Sequence, residues 1–203
     1  MTTQELMQPF CAVDEILYYL NYINKEGDYL FASNGHIMVS MPDDGTVEIN
    51  KDINSKDPNN FEKVLARDTW PQDGFIPFSI PDTELKKCNK CCGTGKHPEK
   101  MDCDDCDGNG WFNHGRHEYD CKECDGDGKI NADSDKIVDC EDCKGTGVGY
   151  TLTKMPDGRL FNFQYLKKIE ALPNVTYLPD TKLDGYMRFK FEGGCGLLMP
   201  CRQ

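Results

Sequence analysis

The chain has 203 residues, 38% of them hydrophobic, and a formal net charge of −12. No apolar run approaches the ~20 residues needed to span a bilayer, and the opening MTTQELMQPF lacks the basic start and apolar stretch of a secretory leader. The expectation is therefore a soluble, cytoplasmic protein with no membrane partner.

In chain order, residues 3–8 predict a short helix stopped near Pro9. ILYYLNYI at 16–23 is rich in aromatic and β-branched residues and predicts a strand. A turn at 25–28 leads to strands at 29–32 and 37–41 around the turn Ser33-Asn34-Gly35. Residues 43–60 are polar and predict an exposed loop. Asn60 is placed to cap a helix over 61–67, and FIPFSI at 75–80 predicts an edge strand because of its proline. Past the middle of the chain, 150–154 and 159–163 flank Pro156-Asp157-Gly158 as a hairpin. FQYLKKIEAL at 163–172 predicts an amphipathic helix ended by Pro173, and 175–178, 186–192 and 196–199 predict three more strands. This order gives an α+β domain with a duplicated half on either side of a central segment.

That central segment carries four copies of Cys-x-x-Cys-x-Gly-x-Gly. Their cysteines are Cys88 and Cys91, Cys103 and Cys106, Cys121 and Cys124, and Cys140 and Cys143. A two-residue gap lets one tight turn present two sulfurs to one ion, and zinc prefers four thiolates in a tetrahedron. Eight thiolates suffice for two zinc ions per chain, and a closed four-thiolate site leaves no open position for substrate, so the ions are expected to be structural. The alternative, a disulfide framework, suits an exported chain, and nothing here marks one. Of the remaining cysteines, Cys92 occupies a variable position of the first copy, and Cys11, Cys195 and Cys201 read as small buried or half-buried side chains. His97, His114 and His117 lie in the same segment and read as surface residues, since eight cysteines already complete two sites.

Charge is uneven. Residues 1–87 carry −8, residues 88–147 carry −7 and residues 148–203 carry +3. Two four-thiolate zinc centres add about −2 each. Nucleic-acid affinity rests on Lys and Arg displacing counterions, so the cysteine-rich segment is read as scaffold or protein-contact surface, not as a DNA reader. There is no phosphate loop, no Gly-x-Ser-x-Gly elbow and no His-Glu-x-x-His. The Asp-Gly pairs of the segment are explained by turn chemistry, and the expectation is a protein that is not an enzyme.

With all four copies complete, the 88–147 segment resembles the cysteine-rich zinc domain of DnaJ-type co-chaperones. The resemblance implies that the first and fourth copies share one zinc, through Cys88, Cys91, Cys140 and Cys143. The second and third share the other, through Cys103, Cys106, Cys121 and Cys124. It also implies an extended two-zinc β-hairpin finger. The J domain is missing: His97-Pro98 is followed by Glu99 rather than Asp, and no Gly/Phe-rich linker is present. Chaperone activity does not follow from the zinc segment alone.

The flanks resemble a bacterial DNA-polymerase sliding clamp. FNFQYLKKIEALP at 161–173 and GYMRFKFEGGCGLLMPCR at 185–202 are similar to the clamp's closing helix, strands and Met-Pro-Met-Arg tail. YYLNYIN at 18–24 and YLFASNGHIM at 29–38 are similar to a clamp strand followed by Ala-Thr-Asp-Gly-His-x-Leu. The chain departs from that pattern at Asn34, Ile37 and Cys201, and it has room for one such domain rather than three. The implied fold is α+β: a clamp-like domain of two short helices packed on antiparallel sheets, formed by residues 1–87 and 148–203 and interrupted by a zinc domain at 88–147. The whole resembles small phage-type proteins of that build, which would place it in host cytoplasm.

The implied function is a non-catalytic binding or scaffold protein linked to DNA replication or host takeover. In clamps, partner peptides enter a pocket whose positions match Gly35, His36, Met38, Met199, Pro200 and Arg202. Its walls come there from two neighbouring domains, so a working pocket would need self-association and possible homo-oligomers. His36 also reads as an ordinary turn histidine, and Met38 and Met199 as core residues. DNA contact through a clamp-like ring would fall to Lys167 and Lys168 on the second helix, which otherwise read as a solvated face. Rival readings are a co-chaperone-like zinc module holding unfolded or specific proteins, and an inhibitor of a host protein.

Overall fold

Seven strands drawn from both ends of the chain form one antiparallel sheet. The computed structural model describes residues 2–13, 15–49, 60–132, 136–179 and 185–202, and the chain divides into two units, one formed by 1–84 with 151–203 and the other by 85–150. In the first unit β1 (Asn24–Glu26), β2 (Tyr29–Ser33) and β3 (Ile37–Pro42) come from the front, and β13 (Thr176–Leu178), β14 (Met187–Phe191) and β15 (Gly194–Leu198) from the back. The strand order is β1-β2-β3-β15-β14-β13-β4, with the two-residue β4 (Ile76–Pro77) closing the far edge. Each three-strand half is preceded by a helix, α1 (Thr3–Met7) in front and α3 (Phe163–Glu170) behind, and the halves meet where Cys195 lies opposite Ser40 and Leu197 opposite Met38.

Alternation along the strands builds a core on each face of the sheet. Leu30, Ala32, Val39, Met187, Phe189 and Leu198 pack with Met7 of α1 and Leu166 and Ile169 of α3. The opposite face places Phe31, Met38, Cys195 and Leu197 against Phe61 and Leu65 of α2 (Phe61–Leu65) and against Trp70. Two helices thus share one face, and a third, α2, covers part of the other. Asn162 caps α3 by accepting the Gln164 N–H at 2.9 Å. Thr2 and Glu5 close a reciprocal capping box on α1. The hairpin of β11 (Leu152–Lys154) and β12 (Leu160–Asn162) precedes α3. Among the described residues no helix is long and apolar enough to cross a membrane.

Two expectations from the sequence fail, each because a side chain takes over a backbone group. The strand expected at 16–23 is instead a 3-10 turn, Tyr18–Asn21. The Asn21 amide accepts from the Glu15 N–H at 3.0 Å and donates to the Glu15 carbonyl at 3.1 Å, and Asn24 donates to the carbonyls of Tyr19 and Tyr22. With those groups satisfied locally, no ladder partner is needed. The cap expected from Asn60 is supplied from a distance: Glu26 accepts the N–H groups of Phe61 and Glu62 at 2.9 and 3.3 Å, and the Asn60 side chain makes no cap. Of the loop expected at 43–60, residues 50–59 lie outside the described residues.

The second unit is a set of nested antiparallel pairs. β5 (Lys96–Pro98) pairs with β10 (Ile137–Asp139), β6 (Lys100–Asp102) with β9 (Lys129–Asn131), and β7 (Trp111–His114) with β8 (His117–Asp120). Lys87 and Val148 bridge at the segment's ends. Its buried clusters are almost wholly cysteine.

A buried ion pair lies inside the first unit. Arg159, 2% exposed, pairs with Asp157 at 2.6 Å and donates to the carbonyl of Gly185 at 2.9 Å. Removing one partner of a buried pair strands the other, at about 3–5 kcal/mol. Asp157→Ala is therefore expected to lose that much stability in urea denaturation followed by Trp70 fluorescence, and more than the double variant Asp157→Ala with Arg159→Met, which removes both buried charges. Equal losses would refute the stranded-charge account.

Candidate functional site

The four cysteine turns share one local geometry. In each, the N–H of the first glycine donates to the carbonyl of the first cysteine, as from Gly93 to Cys88 at 3.2 Å and from Gly108 to Cys103 at 3.0 Å. The N–H of the second glycine donates to the sulfur of the second cysteine: Gly95 to Cys91, Gly110 to Cys106, Gly128 to Cys124 and Gly147 to Cys143, all at 3.2 Å. The residue after the second cysteine (Cys92, Asp107, Asp125 or Lys144) is left-handed, with φ between 49° and 53°.

Backbone contact pairs the turns first with fourth and second with third. Cys88 N–H donates to the Gly147 carbonyl at 2.9 Å and Cys140 N–H to that of Gly95 at 2.8 Å. Cys103 and Cys121 do the same with Gly128 and Gly110. The approach is close. A Cβ on Gly95 would sit 2.2 Å from the Gly145 oxygen and one on Gly110 2.3 Å from that of Gly126, with Gly147 and Gly128 equally confined. The second glycine of each turn is thus required by its partner turn as well as by its own positive φ.

The result is two buried four-cysteine groups, Cys88, Cys91, Cys140 and Cys143, and Cys103, Cys106, Cys121 and Cys124, the ligand atoms of each within 4.8 Å of one another. Sulfur separations are 3.8 Å for Cys88–Cys140, 3.7 Å for Cys91–Cys143, 3.9 Å for Cys103–Cys121 and 3.8 Å for Cys106–Cys124. These are far beyond a disulfide bond of about 2.05 Å. They match the edge of about 3.8 Å set by a tetrahedral ion with metal–sulfur bonds of about 2.3 Å. The donor set fits a structural metal ion in each group and leaves no position for a substrate. Burial pushes the Cys103 thiol up to about 12. At Cys91 burial is outweighed by the N–H groups of Gly95 and Gly93 and by the thiols of Cys143 and Cys88, which bring it down to about 6.

The first unit carries a separate apolar groove of about 240 Å³. Its floor is the turn between β2 and β3, where Asn34 accepts the N–H groups of His36 and Ile37 and Gly35 has φ +84°. Met199 N–H donates to the His36 carbonyl at 2.8 Å, so the end of β15 runs beside that turn within one chain. Gly35, His36, Met38 and Met199 line the groove. Met38 is 5% exposed and belongs to the core as well, whereas Met199 is 42% exposed and is not a core residue. Pro200 and Arg202 do not line it. The requirement for a second subunit is corrected: β3 and β15 are direct neighbours, so one chain supplies both walls. Leu17, Leu20, Phe61, Val64 and Tyr186 complete the lining. Local pattern does not reveal them, because Leu17 and Leu20 fall in a segment whose composition favours a strand and the position of α2 depends on the distant Glu26.

Lys167 pairs with Glu170 at 2.5 Å, and Lys168 donates to the Pro9 carbonyl at 2.6 Å. His36 stacks on Tyr165 with ring centroids 5.9 Å apart. His97 bonds through Nδ1 to the Pro98 carbonyl at 2.7 Å, and His114 and His117 face each other across β7–β8.

No family model matches the chain, and no curated protein matches it. Among solved structures, it is similar to a DNA polymerase sliding clamp from Pseudomonas aeruginosa, crystallised with a ligand, at 14% identity and a TM-score of 0.35. The match covers 98% of this chain and 63% of that one, so the chain spans less than two thirds of that clamp's length.

Because the Gly110 site has no room for a Cβ, Gly110→Ala is expected to empty the Cys103 group and spare the Cys88 group. Elemental analysis should then find half the metal of the wild type. Full metal retention would contradict the close-approach account.

Proposed function

We propose that the protein is a non-catalytic zinc-binding scaffold whose first unit receives an apolar peptide segment from a protein partner. Zinc is the ion best suited to four thiolates in a closed tetrahedron. It would be held by Cys88, Cys91, Cys140 and Cys143, and by Cys103, Cys106, Cys121 and Cys124, and would supply folding energy rather than reactivity.

The observation that carries the peptide reading is the hydrogen bond from Met199 to His36, which brings the Gly35-His36 turn and the chain's tail to one apolar groove. A mostly apolar concave site edged by a few backbone polar groups is the usual form of a ligand site. The flexible thioethers of Met38 and Met199 adapt to varied side chains. The resemblance of the flanks to sliding clamps suggests a partner from DNA replication. A protein partner is favoured over DNA because the two lysines of α3 are engaged within the chain and α1 has no Lys or Arg.

Two zinc ions per chain are expected by elemental analysis, with one lost in Cys88→Ser and one in Cys106→Ser. Protons compete for the thiolates, so zinc should be released as the pH falls. A content near zero or one in the wild type would refute the two-site reading. For the groove, a fluorescent clamp-binding peptide is expected to bind the wild type and to bind Met199→Lys at least roughly tenfold more weakly, since a charge buried beneath an apolar ligand is costly. Absence of binding to the wild type would refute the peptide reading and leave the zinc reading untouched.

A further inference from the structure

The β7–β8 hairpin has an exposure that its fold does not require. All ten residues from Trp111 to Asp120 are exposed. They include three large aromatic side chains, Trp111 at 42%, Phe112 at 43% and Tyr119 at 55%. A two-stranded hairpin on its own is marginal in water. This one is anchored at its base, where Cys121 N–H donates to the Gly110 carbonyl at 2.8 Å beside the second four-cysteine group. That group's buried cluster is made of its four cysteines, with Ile130 packed against it. The three aromatics serve no core.

The register sorts them. Phe112 lies opposite Tyr119 and His114 opposite His117, so these four share one face. Trp111 opposite Asp120 and Asn113 opposite Glu118 share the other. Each face joins π-surface to polar groups, and on the Trp111 face those include two carboxylates.

Charge says what the hairpin would meet. Residues 103–128 carry eight acidic side chains and two basic ones, a net of −6, so they hold nearly all of the −7 of residues 88–147. All eight acids are exposed. Among the described residues, Asp127 is the one of them in an ion pair, with Lys100 at 3.4 Å. The metal centre beside them adds more negative charge when four thiolates hold one divalent ion. Nucleic acid and anionic membrane surfaces are repelled by such a field.

We infer that the β7–β8 hairpin is a docking surface for an arginine-rich protein segment. A guanidinium stacks on Trp or Tyr while its N–H groups remain free to bond carboxylates at the rim, a combination that a lysine ammonium reproduces less well. Trp111 with Glu118 and Asp120 provides that pairing on one face, and Phe112 with Tyr119 a second ring surface on the other. The inference is independent of the groove in the first unit.

The test uses the full chain loaded with metal and a labelled peptide alternating Arg and Leu, with its Lys and its uncharged citrulline counterparts. The arginine peptide should bind best, with affinity falling as salt rises. Trp111→Leu with Tyr119→Leu keeps apolar bulk but removes the π-faces, and should weaken binding on the order of tenfold. Glu118→Gln with Asp120→Asn should weaken it and flatten the salt dependence. Asp139→Asn with Glu141→Gln, which removes the same charge beside the other centre, should change it little. Metal content measured on each variant confirms that the unit is folded. No binding of the arginine peptide, equal binding of the citrulline peptide, or equal loss from the Asp139/Glu141 variant would each overturn the inference.

Discussion

The β3–β15 ladder joins residues that the chain separates by the whole cysteine-rich segment. Ser40 lies opposite Cys195, and both cores of the first unit are assembled on the sheet this pairing completes. Without it, each half would be a three-strand fragment with an unpaired edge and half a core. The same ladder continues into the Met199–His36 hydrogen bond, so the groove follows from the way the two halves meet. Long-range pairing of this kind carries a loop-closure cost that helices and hairpins avoid.

The second unit lowers that cost only slightly. Gly149 N–H donates to the Lys86 carbonyl at 2.9 Å, so a folded cysteine-rich unit brings its own ends together. That shortens the loop between β3 and β15 by roughly two fifths. Because closure entropy grows only with the logarithm of length, the gain is about half a kcal/mol. The four-cysteine groups therefore act on their own unit. There the buried groups are cysteines and the strands are two to a sheet, so bound metal would take the place of an apolar core.

Legibility in the sequence followed the range of the interactions. The helices at Thr3–Met7 and Phe163–Glu170 and the 152–162 hairpin stand where local pattern puts them, because caps, periodicity and a Pro-Asp-Gly turn act within a few residues. The 16–23 segment reads as a strand by composition, yet Asn21 and Asn24 satisfy its backbone in place. The α2 cap was invisible because Glu26 lies 35 residues from Phe61. The repeats display their cysteines openly, but the pairing of first with fourth turn came from resemblance. Its physical basis, glycine against the partner turn's carbonyl, is a contact between distant residues that no spacing contains.

The same distinction separates the two surfaces. The groove is built from residues that also pack the first unit: Met38, Leu197 and Phe61 belong to a core cluster and line the groove as well. Its shape cannot change without cost to stability, and a substitution there mixes folding with binding. Leu17, Val64, Tyr186 and Met199 are the exposed apolar exceptions. The β7–β8 hairpin is the opposite case. None of its side chains is buried, and its backbone is fixed by Gly110 and Cys121 at the base. Its sequence is therefore free of the core: Phe112 and Tyr119 support the hairpin as a cross-strand pair, whereas Trp111, opposite Asp120, has no such partner. Exposed apolar side chains that stability does not require are the ones whose presence calls for a partner.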